Sequence, residues 1–133
     1  LFDRLFGKKL LNSGGPAYSL ECELHPLRLQ AHKPDYLDLE VSVSNQFDRE
    51  LLTSIVIQVP RGLGFEQSAL SQEREIRLGM LRPGESKRFK VPVWATQRTE
   101  PGHYPVRVHA ISHFHDYGYV LNEVRREVGL RAV

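Results

Sequence analysis

Cysteine is almost missing from this chain. Cys22 stands alone in 133 residues, so no intrachain disulfide forms. Small secreted domains are often stapled by disulfides and intracellular ones seldom are. Glycosylation sequons are missing too: Asn12, Asn45 and Asn122 are followed two residues on by Gly14, Phe47 and Val124. Both absences favour a cytoplasmic protein and leave a cell-surface one open. The chain opens on Leu1 rather than Met, and we expect only a few residues upstream of it. No apolar run approaches the roughly 20 residues of a membrane-spanning helix. Charge of one sign is also scarce. The net charge of +2 lacks the basic excess of a nucleic-acid binder. There is no Gly-x-Ser-x-Gly elbow, no Ser-x-x-Lys and no phosphate-cradling loop. We therefore expect no enzyme and no cofactor.

What is present is an ordinary globular composition, 41% hydrophobic and 26% charged. At this length about two-thirds of the unfolded surface is buried on folding, enough for one core. Ser13-Gly14-Gly15-Pro16 divides the chain. Residues 1–15 form an amphipathic segment and a Gly-Gly linker, and residues 16–133 form the domain. Leu1, Phe2, Leu5 and Phe6 share one face of a short helical or extended segment, beside Lys8 and Lys9. Three uses fit it: packing on its own domain, docking on a partner, or resting on a membrane surface as a peripheral adaptor. We favour packing against protein, with Phe2, Leu5 and Phe6 as anchors.

Beyond the linker the hydrophobic period is two. Tyr18, Leu20, Cys22 and Leu24 alternate with polar residues until Pro26, and Leu27, Leu29 and Ala31 resume the alternation; proline cannot donate to a ladder and so marks an edge strand with a kink or a switch between sheets. Leu37, Leu39, Val41 and Val43 alternate with Asp38, Glu40, Ser42 and Ser44. Ile55-Val56-Ile57 predicts a strand covered on one face or both. Residues 65–72 have no period and read as a loop. Glu75 to Leu81 reads as a short strand and an edge candidate. Pro83-Gly84 suits the centre of a type II turn. Phe89, Val91 and Val93 point inward on the next strand, and Val106, Val108, Ala110 and Ser112 on the one after. In the last segment Leu121, Val124 and Val128 recur at helical spacing, while Val124, Val128, Leu130 and Ala132 fit a strand. Gly129 disfavours a helix, and we read a strand. About seven strands with turn signals between them predict an all-β, two-sheet antiparallel sandwich. Leu20, Cys22, Leu39, Val41, Ile55, Ile57, Phe89, Val91, Val106 and Val108 are its expected core.

Three stretches carry a family resemblance: DLEVSVSNQFDRELLTSIVIQVPRGLGF, LGMLRPGESKRFKVPV and EPGHYPVRVHA. One strand ends in Asn45 and the next in Pro60. A Leu-Arg-Pro-Gly-Glu turn covers Leu81 to Glu85, and Gly102-His103-Tyr104 opens a later strand. In this order Pro26 to Val133 resembles the prokaryotic immunoglobulin-like modules that include CARDB and NEW3 domains. The resemblance implies an immunoglobulin-like sandwich and says little about function.

The candidate chemistry is sparse. Among six histidines, His109, His113 and His115 fall on one strand face beside Asp116 and are the weak candidates for a metal. The competing reading is an exposed, polar hairpin tip, and we expect no strong metal site. His25, His32 and His103 show no pattern. Cys22 lies on an apolar face and reads as a small hydrophobe. Trp94 has the parity opposite to Val91 and Val93. It either faces outward as an interaction anchor or returns to the core through a bulge. The resulting expectation is a non-enzymatic module binding a protein or a second copy of itself. Metal binding at the hairpin and membrane adaptation through the first segment are its alternatives.

Overall fold

The computed structural model describes residues 17–133; the expected segment at 1–15, with Phe2, Leu5 and Phe6, lies outside the described residues. Nine strands follow in order: β1 (Tyr18–His25), β2 (Arg28–Leu29), β3 (Asp35–Asn45), β4 (Leu51–Gln58), β5 (Leu63–Gly64), β6 (Glu73–Leu81), β7 (Ser86–Ala95), β8 (Gly102–His113) and β9 (Val120–Ala132). They form a four-stranded sheet, β1-β3-β7-β5, and a five-stranded sheet, β2-β9-β8-β4-β6. The expectation of seven strands falls short by β2 and β5. β5 is two residues long and carries no period, and β2 lies in the stretch whose alternation reads as a continuation of β1. The expected all-antiparallel pairing fails at one place, where Arg28 and Leu29 run parallel to Arg131 and Ala132.

That exception follows from Pro26. The chain leaves the four-stranded sheet after His25 and joins the five-stranded one at Arg28, so β1 and β2 edge different sheets. The last segment is a strand along its full length. It pairs with β8 from Gly102–Ala132 to His113–Val120, with a bulge near Ser112/His113. The type II turn is present: Glu85 N donates to Arg82 O at 2.9 Å, and Gly84 takes the φ of 79° that favours glycine.

Eight of the ten expected core residues are buried: Leu20, Leu39, Val41, Ile55, Ile57, Val91, Val106 and Val108. Cys22 and Phe89 are only partly buried against that core. Both lie where a sheet ends. Nothing among the described residues pairs the far side of β1, and β5 covers β7 only at Trp94 and Ala95. Val56 is half-buried on the outer face, between the fully buried Ile55 and Ile57.

Candidate functional site

The histidine hairpin does not converge. His109 and His113 do share the outer face of the five-stranded sheet, but they sit four residues apart, about 13 Å along the strand. The two His109 nitrogens are both occupied: Nδ1 lies 3.1 Å from Glu123 Oε2, and Nε2 lies 3.1 Å from Gln58 Oε1. His113 is buried beneath Tyr117, whose ring meets it edge-on at 5.0 Å, and its Nε2 is 2.7 Å from Ser54 Oγ. His115 sits in the turn at a φ of 67°, its ring 4.0 Å from that of Phe114. Asp116 turns back to accept from Gly118 N at 2.8 Å. The shared-face expectation thus fails for His115, because the strand ends at His113. Parity along one strand also says nothing of the loop that folds over it.

The burial of His113 has a measurable consequence. Burial pushes its pKa below the ordinary imidazole value; Arg77 adds to this, while Glu75 and Asp116 oppose it. The folded state therefore binds the proton less readily than the unfolded chain. Its stabilising contribution is whole above about pH 6.5 and is lost as the pH falls toward the lowered folded-state value. The melting temperature of the wild type is expected to drop more between neutral pH and mildly acidic pH than that of His113→Asn. An equal drop in both proteins contradicts this assignment.

Ligand-type atoms do meet elsewhere. Glu23, His25 and Glu40 on the outer face of the four-stranded sheet bring one such atom each within 4.8 Å of the others. Glu23 lies opposite Glu40 in the β1–β3 register, and His25 Nε2 pairs with Glu23 Oε2 at 3.2 Å in solvent. The sequence hides this group because Glu40 enters it only through strand pairing.

Cys22 has no nucleophile's setting. Burial raises its thiol pKa to about 11 against the opposing charge of Arg126. Other polar side chains serve the fold. Tyr18 and Thr53 share a 2.7 Å hydrogen bond between the sheets. Arg126 Nε donates to Leu20 O at 2.9 Å, bridging the open side between β1 and β9.

Trp94 faces outward. Its parity is unbroken by Pro92, and it stands opposite Tyr36 in the β3–β7 register. The two rings lie 4.8 Å apart at 33°, and Tyr36 is 50% exposed. Sequence parity identified Trp94, whereas Tyr36 becomes legible only once the register is known. β5 covers the edge beside this pair, with Gly64 opposite Trp94.

No helix among the described residues is long and apolar enough to cross a membrane. No family model matches the sequence. No curated protein matches it either. Solved structures do match the fold. A Salmonella alpha-2-macroglobulin mutant matches at TM-score 0.60 and 19% identity, over 89% of this chain and 7% of that one. An Escherichia coli alpha-2-macroglobulin fragment matches at 0.56 and 17%, over 87% of this chain and 17% of that one. A FixG-related protein from Vibrio parahaemolyticus matches at 0.56 and 8%, over 87% of this chain and 96% of that one. The chain thus spans a small part of the macroglobulins and nearly all of the FixG-related structure. At these identities the likeness is one of fold: an all-β, immunoglobulin-like sandwich of the kind found in bacterial proteins.

Proposed function

We propose that this chain is a non-enzymatic immunoglobulin-like module that acts through protein contacts, self-association among them. The observation that carries the reading is the outward Tyr36–Trp94 pair. Two large rings side by side on a sheet face bury much area at small entropic cost when a partner covers them. The near-balanced charge supports a protein partner rather than nucleic acid. The high thiol pKa of Cys22, the hydrogen bonds on both His109 nitrogens and the one between His113 Nε2 and Ser54 Oγ support a structural role for those groups. Within this reading the Leu81–Glu85 turn and the Gly102–Tyr104 strand opening align the module with the CARDB and NEW3 class. Phe2, Leu5 and Phe6 remain its proposed second anchor.

Trp94 is the single tryptophan, so intrinsic emission reports on this surface alone. Raising the concentration of the full chain is expected to shift that emission to shorter wavelength as its light-scattering mass rises. Trp94→Ala, or removal of residues 1–12, is expected to lower the mass at a given concentration. Full chain, Trp94→Ala and truncated chain with the same mass at every concentration would contradict both anchors.

A further inference from the structure

β6 is the outermost strand of the five-stranded sheet. β4 pairs one side of it, and nothing among the described residues pairs the other. Val59 N donates to Gln72 O at 2.9 Å, so Val59 and Gln72 form a hydrogen-bonded pair. Alternation along an antiparallel ladder then turns the backbone of Arg74 and Ile76 toward β4. The N–H and C=O groups of Glu73, Glu75 and Arg77 are left facing the open side. The Glu75 and Arg77 side chains share the outer face and are 44% and 60% exposed, with Nε and Oε2 3.6 Å apart. Ile76 lies half-buried on the opposite face. Beyond Leu78 the edge is closed, because Gly79 N donates to Tyr117 OH at 3.0 Å and the Tyr117 ring lies 4.6 Å from the Arg77 guanidinium.

We propose that β6 pairs antiparallel with β6 of a second copy, about a two-fold axis through Ile76. This rests on the self-association in the reading above and adds to the Tyr36–Trp94 face a second surface, on the edge of the other sheet. The charge order selects the register. An axis through Glu75 or Arg77 sets a like charge against itself, and an axis through Arg74 sets Glu73 against Glu75. Only the axis through Ile76 places Glu75 opposite Arg77 of the partner subunit, and does so twice by symmetry. Glu75 and Arg77 are also the residues whose backbone groups face outward, so the same register forms the inter-strand hydrogen bonds. Ile76 then meets the partner's Ile76 on the apolar face. Charged edge strands commonly resist pairing; here the axis through Ile76 is the one of these registers in which no like charges face each other, whereas the axis through Glu75 gains Glu73 opposite the partner's Arg77 at the cost of Glu75 against itself. The ladder is short, bounded by the Tyr117 closure, so the dimer is weak and dissociates as salt screens its charge pairs.

The test is sedimentation equilibrium on the full chain, on Glu75→Arg and on Arg77→Glu. Wild type is expected to gain mass toward that of a dimer with concentration. Each variant sets like charges opposite one another and is expected to associate at least tenfold more weakly. An equal mixture of the two variants restores opposite charges at both positions and is expected to recover the wild-type association. That recovery requires both variants to be folded. A wild type that stays monomeric near millimolar concentration overturns the proposal, as does a mixture no tighter than its components. If wild type and both variants associate alike, self-association stands and the β6 surface falls.

Discussion

Val41→Asp is expected to destabilise the domain by about 4 kcal/mol or more. Val41 is fully buried in the middle of β3, between Cys22 on β1 and Phe89 on β7. An aspartate there loses apolar burial and places a carboxylate where no cation reaches it. Ser42→Asp, one residue on, is expected to change stability by no more than about 0.5 kcal/mol. Ser42 is on the outer face and already accepts from Arg88 Nε at 3.1 Å, so a carboxylate gains a partner there. Urea unfolding of the two variants, with Val41→Ala as a milder probe if the aspartate fails to fold, measures the contrast. Equal effects at 41 and 42 would mean that β3 does not present alternate residues to a core.

Asn45 carries the second large effect. It ends β3 with its side chain fully buried. Its Nδ2 donates to Arg49 O at 2.8 Å and Leu81 O at 2.9 Å, and its Oδ1 accepts from Phe47 N at 2.8 Å. Its backbone accepts from Gly84 N and donates to Glu85 O. The side chain therefore ties the β3–β4 turn to the end of β6, and the backbone of the same residue holds the turn leading into β7. Asn45→Ala is expected to cost about 3 kcal/mol, because it removes three hydrogen bonds from a buried site. Asn45→Asp is expected to cost more at neutral pH, since its carboxylate faces the two carbonyls it can no longer serve. Its deficit should narrow in acid, where a protonated carboxyl regains one donor. Thermal melts of the three proteins at neutral and acid pH decide this. An aspartate variant as stable as wild type at neutral pH contradicts the buried donor role.

The strands that sequence made legible are those with one face in a core. β3 and β7 show strict alternation because one side of each is solvated. Pro26 announced the sheet switch because a missing N–H cannot stay inside a ladder. β9 was ambiguous because Val124 and Val128 satisfy both periods, and its pairing with β8 settles it as strand. β5 is too short to hold a pattern, and β2 reads as a continuation of β1 because Leu27, Leu29 and Ala31 carry the alternation past Pro26. The candidate sites divide similarly. Trp94 was found from parity on its own strand. Tyr36, and the partnership of Glu23 with Glu40, needed the register between strands, which no local pattern encodes. Asn45 was visible as a strand end, but its hydrogen bonds reach Leu81, 36 residues away. The histidines mislead because parity along β8 leaves His113 on a solvent face, whereas Tyr117 folds over it.

The interaction reading stands or falls most directly on the solution mass of the full chain, followed by light scattering from low micromolar to near millimolar concentration with Trp94 emission recorded alongside. The reading predicts a mass that rises with concentration together with a blue shift of Trp94. A monomeric mass with unchanged emission throughout would contradict it.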